Sequence, residues 1–322
     1  MTVSFIRRGG ELNKVGYIYH DLYLKHKAPT YHPERPERLI AINTAIEEAR
    51  LFDDLVRITP KPAEKEDILK VHSEEYYKRV EATKGKQGHL DPDTYYNEHS
   101  FDAALMAVGG VLTAGKKVFA KDIDRAFCAV RPPGHHVDRD NSKGFCLFNN
   151  IAVLARYLID EYKFERVAIL DWDGHHGNGT QNIFYSDPMV HYTSLHRYPF
   201  YPGTGSASDM GYADGVGYNL NFPLSAGAGD REFNDIISQT WTEAINNFKP
   251  QIILLSAGFD AYEKDPLVGL GVTLSGFEKA GRWVCRVADD MCGGRLISVL
   301  EGGYVLNFIN QAVIDHLKIL ME

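Results

Sequence analysis

Val167-Ala168-Ile169-Leu170-Asp171-Trp172-Asp173-Gly174-His175-His176-Gly177-Asn178-Gly179-Thr180 is the stretch on which both fold and chemistry turn. Its first four residues form a short apolar run, β-branched at its start and bounded by polar residues, and read as a buried strand. Two acids and two histidines then crowd into the six residues that follow. Asp173 and His175 are two apart, so an extended segment points them the same way. An acid and a histidine on one face at the end of a buried strand supply half of a metal site. An acid–histidine hydrogen-bond network packed at a strand end is the plainer alternative, but the density of such residues here favours chemistry.

Three other strand ends carry matching features. Ala126-Phe127-Cys128-Ala129-Val130 runs into Arg131-Pro132-Pro133-Gly134-His135-His136. Ile252-Ile253-Leu254-Leu255 runs into Ser256-Ala257-Gly258-Phe259-Asp260, and Leu296-Ile297-Ser298-Val299-Leu300 into Glu301-Gly302-Gly303-Tyr304. Ligands of open α/β sheets bind beyond the carboxyl ends of the strands, so these four segments are expected to meet at one sheet edge.

Helical spacing and end signals predict helices over 33–51, 64–80, 100–120, 149–162, 230–248 and 309–320. Asp230 and Ser100 are read as caps, and Ser275-x-x-Glu278 as a capping box opening a helix that runs to Asp290. Further strands are expected at 15–19, 190–195 and 218–222. Strands alternating with helices imply an α/β protein whose mostly parallel sheet is covered on both faces. No linker, repeat or low-complexity tract interrupts the chain and the motifs span both halves, so residues 1–322 read as one domain.

The segments RPPGHH, DWDGHHGNGT, SAGFDA and EGGY resemble those of zinc-dependent histone deacetylases and their bacterial amidohydrolase relatives. The resemblance is strongest to the class II branch, which includes acetylpolyamine amidohydrolases, and runs from about Gly16 to the C-terminal helix. It implies the three-layer arginase/deacetylase fold. It also implies that Asp173, His175 and Asp260 are metal ligands, that Asp171 supports His135, and that Asn178 supports His136. A carboxylate partner favours imidazolium at His135, and a neutral amide leaves His136 suited to taking a proton from water. One nitrogen and two carboxylates suit Zn²⁺ with an open position, and the oxygen-rich set also suits Fe²⁺ or Co²⁺.

By the same resemblance, Tyr304 donates to a developing oxyanion. Gly144, Phe145 and Tyr201 match segments that sandwich an acyl-lysine stem. Asp93, or Asp91, is placed at the rim, where it would accept backbone N–H groups, although an acid in Asp-Pro-Asp also suits a plain turn. Potassium sites are implied at Asp171, Asp173 and Ser194 with the carbonyls of His175 and Leu195, and at carbonyls near Phe184 and Val190. Relatives that favour polyamines carry Glu where this chain has Leu267, with Glu263 and Asp265 close enough in sequence to compensate. Gly174 stands where Val or Leu is common and is expected to loosen the backbone. The histidines at 20, 72, 89, 99, 191 and 316 read as structural.

Composition narrows the class. A hydrophobic content of 44% is enough for a large core. The net charge of −8 comes without a basic stripe and argues against direct nucleic-acid binding. Cys128, Cys146, Cys285 and Cys292 form no Cys-x-x-Cys pair, and no disulfide framework is implied. No apolar leader is evident in Met1–Lys14 and no run reaches about 18 apolar residues, so a cytoplasmic protein without a membrane span is expected. The reaction implied is hydrolysis of an N-acylated amine, with acyl-lysine favoured over acetylpolyamine. A binuclear arginase-type ureohydrolase would need further acids near His176-Gly177-Asn178, where none stands. A non-catalytic acetyl-lysine binder has no use for Tyr304 and both histidines.

Overall fold

The computed structural model describes residues 12–322, so most of the Met1–Lys14 reading lies outside the described residues. Ten strands are present among the described residues: β1 (Val15–Ile18), β2 (Val56–Ile58), β3 (Gly88–Asp91), β4 (Thr94–Tyr96), β5 (Arg125–Cys128), β6 (Val167–Asp171), β7 (Val190–Arg197), β8 (Asn219–Leu224), β9 (Ile252–Ala257) and β10 (Leu296–Leu300). Eight form one sheet in the order β2-β1-β5-β10-β9-β6-β7-β8. Every pairing within it is parallel. β3 and β4 form a separate antiparallel hairpin.

Continuous apolar runs rather than alternating ones make the central strands, because helices cover both sheet faces. β1, β5, β6, β9 and β10 are buried at every residue. The helices Ser100–Phe119 and Asn150–Tyr162 pack together, and Glu37–Glu48, Leu274–Cys292 and Leu306–Met321 form a second packed set. The order β5-β10-β9-β6 makes the four motif-bearing strands consecutive neighbours. Their carboxyl ends therefore lie side by side at about 4.8 Å spacing, although more than a hundred residues separate some of them.

Several elements differ from expectation. The helix expected over 64–80 is two, Lys65–Ile68 and Glu74–Glu81. His72 sits at the break, where its Nδ1 bonds Asp138 O at 2.9 Å and its Nε2 accepts from Asn149 N at 3.0 Å. Ser73 then caps the second helix by accepting from Tyr76 N. The helix Leu274–Cys292 is capped by Thr273 rather than Ser275. Asp230 is the reason: instead of capping its own helix it accepts from Thr273 N and Thr273 Oγ1, both at 2.7 Å, and fixes that helix start. Ser100 is likewise the first helical residue rather than the cap. The helix begun at Asp230 does reach Phe248, passing through a π-helical turn at Ile236–Trp241. All four cysteines are buried, and none of them forms a disulfide among the described residues. No helix among the described residues is long and apolar enough to cross a membrane.

Candidate metal centre and active site

Asp171 ends β6, in register with Ser194 of β7 on one side and Ser256 of β9 on the other. Two residues on, the chain has left the sheet, and Asp173 and His175 meet Asp260, which follows β9. All three are buried, and one ligand atom from each lies within 4.8 Å of the others. His175 Nδ1 is 3.2 Å from Asp173 Oδ1 and 2.9 Å from Asp260 Oδ2. The outer oxygens are held by backbone: Gly174 N donates to Asp260 Oδ1 at 2.7 Å and Gly302 N to Asp173 Oδ2 at 2.8 Å. Gly302 is required here, since a Cβ would press against both carboxylates. Two buried acids side by side are costly without a cation between them, and this N,O,O set fits one divalent ion with a position left open.

The tandem histidines lie against this group with different partners. His135 Nδ1 is 3.0 Å from Asp171 Oδ2, and the Tyr192 hydroxyl donates to the same oxygen at 3.0 Å. Burial opposes charge on His135, but Asp171 and Asp173 outweigh it and push its pKa up to about 10. His136 Nδ1 is 2.8 Å from Asn178 Oδ1, and Asn178 Nδ2 donates to His136 O at 3.2 Å. Burial first, and then the charge on His135, holds His136 well below the usual histidine range. The two adjacent rings thus have partners of different charge, a carboxylate at His135 and a neutral amide at His136.

Tyr304 is part-buried beyond β10, with its ring 6.1 Å from that of Phe145. Burial and then Asp260 push its phenol well above the ordinary range, so it remains an O–H donor. Phe145 packs edge-on against His32 at 4.6 Å. The Tyr201 ring stands 5.4 Å from His136 and 6.0 Å from His175. Asp93 Oδ1 accepts from Gly144 N at 3.1 Å, so the β3–β4 hairpin holds the Gly144-Phe145 loop. Asp91 accepts from Asp93 N and Thr94 N, which is the plain turn role. Leu267 is part-buried in the loop after Asp260. Asp265 is turned inward, 7% exposed, and carries no charge to the surface. Gly174 has no unusual backbone; Val268 fills the space its side chain would take.

Ser194 Oγ pairs with His196 Nδ1 at 2.9 Å, and Leu195 follows it on β7 beside the end of β6. Phe184 and Val190 flank the turn at the opposite end of β7, where Phe184 O accepts from Asp187 N. His20, His72, His191 and His316 all bond ordinary polar neighbours.

The histone deacetylase domain model matches residues 32–320. The chain belongs to the histone deacetylase family. It is thereby a hydrolase acting on amide bonds, of a family that is generally metal-dependent and takes acetylated substrates. It is 42% identical to a "Probable deacetylase" of Archaeoglobus fulgidus, over 90% of this chain and 81% of that protein. It is 37% identical to "Histone deacetylase 15" of Arabidopsis thaliana over 90% of this chain, and spans about half of that protein, 53%. The crystal structure of the HDA15 HD domain superposes with a TM-score of 0.90 at 35% identity, covering 96% of this chain and 88% of that one. The three-layer fold expected from the sequence is therefore the fold of the deacetylase.

The structure adds supports that the sequence reading left without a role. Glu301 Oε2 accepts from Gly134 N at 2.8 Å and His135 N at 3.3 Å, bracing the histidine turn. Arg38 donates to Glu301 O at 2.5 Å and Gly303 O at 2.7 Å. Glu34 binds both Arg38, which holds the EGGY backbone, and Arg131, the first residue of RPPGHH. The signal available was the acid-and-arginine string His32-Pro33-Glu34-Arg35-Pro36-Glu37-Arg38 leading into an apolar helix face.

Proposed function

We propose that this protein is a zinc-dependent deacetylase that removes acetyl or short acyl groups from acylated lysine or a similar amine, with residues 1–322 acting as one catalytic domain in the cytoplasm. The observation that carries the reading is the convergence of Asp173, His175 and Asp260 on one point, faced by one charged and one neutral histidine. Those three residues would hold Zn²⁺, and Fe²⁺ or Co²⁺ would suit the same donors. Bound there, the ion supplies Lewis acidity to the amide carbonyl and to the attacking water.

The protein groups supply the rest. Asn178 Oδ1 can only accept, so the His136 proton sits on Nδ1 and Nε2 keeps a lone pair for the water proton. His135, kept as imidazolium by Asp171, makes up the acid partner of the pair, and a protonated histidine delivers the proton that the leaving amine requires. The Tyr304 hydroxyl donates to the oxyanion of the tetrahedral intermediate. Phe145 and Tyr201 offer aromatic faces to the methylene stem, with Gly144, Leu267 and Asp93 completing the approach. Potassium at Asp171, Asp173, Ser194 and the carbonyls of His175 and Leu195, and at Phe184 and Val190, would balance local negative charge. The substrate side of this reading involves neither direct nucleic-acid contact nor a membrane.

The test is turnover of a chromogenic acyl-lysine panel beside acetylpolyamines, with elemental analysis of the same preparation. The expected outcome is about one zinc per chain, from a single three-residue set, and measurable deacylation. Two equivalent metals per chain would point to a ureohydrolase-type centre, and a folded, zinc-loaded protein with no turnover would leave only acyl-lysine binding.

A further inference from the structure

Between β10 and the helix that starts at Leu306, the segment Glu301–Val305 has no regular secondary structure. Its backbone polar groups are held one by one from outside. Arg38 takes Glu301 O and Gly303 O, Asp173 takes Gly302 N, and Phe259 N donates to Gly302 O at 3.0 Å. The amide of Tyr304 itself donates to Asp265 Oδ2 at 2.9 Å. Gly303, immediately before it, has φ of +119°, a conformation that favours glycine. Asp265's other oxygen, Oδ1, accepts from Leu267 N at 2.9 Å. One buried carboxylate therefore bridges the catalytic phenol's backbone and the wall residue Leu267, and its own amide is fixed to Tyr262 O at 2.9 Å.

We propose that Asp265 is a positioning residue for the deacetylation step: it sets the depth to which the Tyr304 hydroxyl reaches over the reacting carbonyl and ties that depth to Leu267. The proposal rests on the reading that Tyr304 stabilises the oxyanion. A carboxylate suits this place because it is an acceptor at both ends, and the two groups it meets are both N–H donors. An asparagine keeps one acceptor and turns an NH₂ toward the other donor, so it can satisfy Tyr304 N or Leu267 N but not both. The loop that carries Asp265 starts from Asp260, so wall, phenol and metal-binding acid share one short, braced path.

A double-mutant cycle of Asp265→Asn with Tyr304→Phe tests this, read as kcat, KM and zinc content on zinc-loaded protein. Asp265→Asn alone should lower kcat on the order of 10- to 100-fold, the scale of a misplaced catalytic group. KM and zinc content should stay within about twofold of the parent, because the hydroxyl contributes only as the transition state is approached. In the Tyr304→Phe background the same change should cost less than about twofold, since no hydroxyl remains to be placed. An equal cost in both backgrounds would overturn the proposal and reduce Asp265 to a loop former. Loss of zinc in Asp265→Asn would also overturn it, moving the effect to Asp260. Parental kcat in Tyr304→Phe alone would sink the underlying assignment of Tyr304, an outcome distinct from either. Asp265→Ser, which keeps a small acceptor, carries the cycle if the asparagine variant does not fold.

Discussion

The floor and the wall of this site are built on different principles. The floor is the carboxyl ends of β5, β10, β9 and β6, adjacent in one parallel sheet, and its acids and histidines are buried. The wall is assembled from the β3–β4 hairpin, the Gly144-Phe145 loop, the Tyr201 loop and the loop after Asp260, and its Asp93, Phe145, Tyr201 and Leu267 are part-buried. A floor group is placed by strand spacing and locked by several partners; Asp173 alone meets His175, Gly302 N and the His175 amide. The wall is tied together by single bonds between its loops, such as Gly144 N to Asp93. Substitutions in the floor should abolish chemistry, and substitutions in the wall should redistribute it among substrates.

The contrast is broken most directly at Asp260. Asp260→Ala should remove most bound metal and nearly all activity while leaving a folded protein. The change would strip one of the three proposed ligands and leave Asp173 and His175 as an incomplete pair. Full metal retention by elemental analysis in that variant would contradict the ligand assignment.

A second probe reaches beneath the floor. Glu34 is fully buried between Arg131 and Arg38. Burial alone would raise its pKa; Arg131 and then Arg38 outweigh that and hold it at about 2. A carboxyl depressed in the folded state contributes stability that is fully present above its ordinary value of 4.5 and is lost as pH falls toward about 2. Glu34→Gln should therefore destabilise the protein at neutral pH by about 3–5 kcal/mol, since it leaves buried guanidinium charge unpaired. It should also flatten the acid-side fall in stability across that window. Denaturant melts from pH 7 down to pH 3 check both, and a variant with the parental acid profile would show that Glu34 is not the group being titrated.

Next comes Tyr304, where floor meets wall. Tyr304→Phe should lower kcat on the order of 10²–10³ with little change in KM, as for loss of one oxyanion donor. Steady-state kinetics on an acetyl-lysine substrate decide this, and a parental kcat would make Tyr304 a packing residue.

What was legible in the sequence follows the same division. Asp173, His175, Asp260, His135 and His136 could be found because each sits within a few residues of a short apolar strand, and the strand end announces the site. The strand order that makes those ends neighbours is a long-range property and came only with the structure. Glu34, Arg38 and Glu301 were silent because the partners that tie them to the site lie far along the chain, Arg131 being 97 residues from Glu34. The split of the 64–80 helix had the same origin, in His72's bonds to Asp138 and Asn149. Asp265 was read as a possible surface charge, since an acid in Glu-Lys-Asp-Pro gives no hint that it folds back onto Tyr304 N.

That inward turn sharpens the smallest expected effect, which belongs to the wall. An acetylpolyamine carries further ammonium groups beyond its reactive amide, and a site selecting it should place a carboxylate near its mouth. With both oxygens of Asp265 committed to backbone amides, the candidate acids on that loop reduce to exposed Glu263, which faces Lys264 at 3.5 Å. Leu267 itself offers only apolar contact. The expectation is a higher kcat/KM for an acetyl-lysine peptide than for N8-acetylspermidine on one preparation. Leu267→Glu should raise polyamine kcat/KM by roughly 3- to 10-fold, the scale of a partly exposed charge pair of about 1 kcal/mol. Because the substitution leaves the floor untouched, kcat on acetyl-lysine should stay near the parental value. A parent that already prefers the polyamine would overturn the stated preference. A Leu267→Glu variant that loses turnover on both substrates alike would erase the distinction between floor and wall at this position.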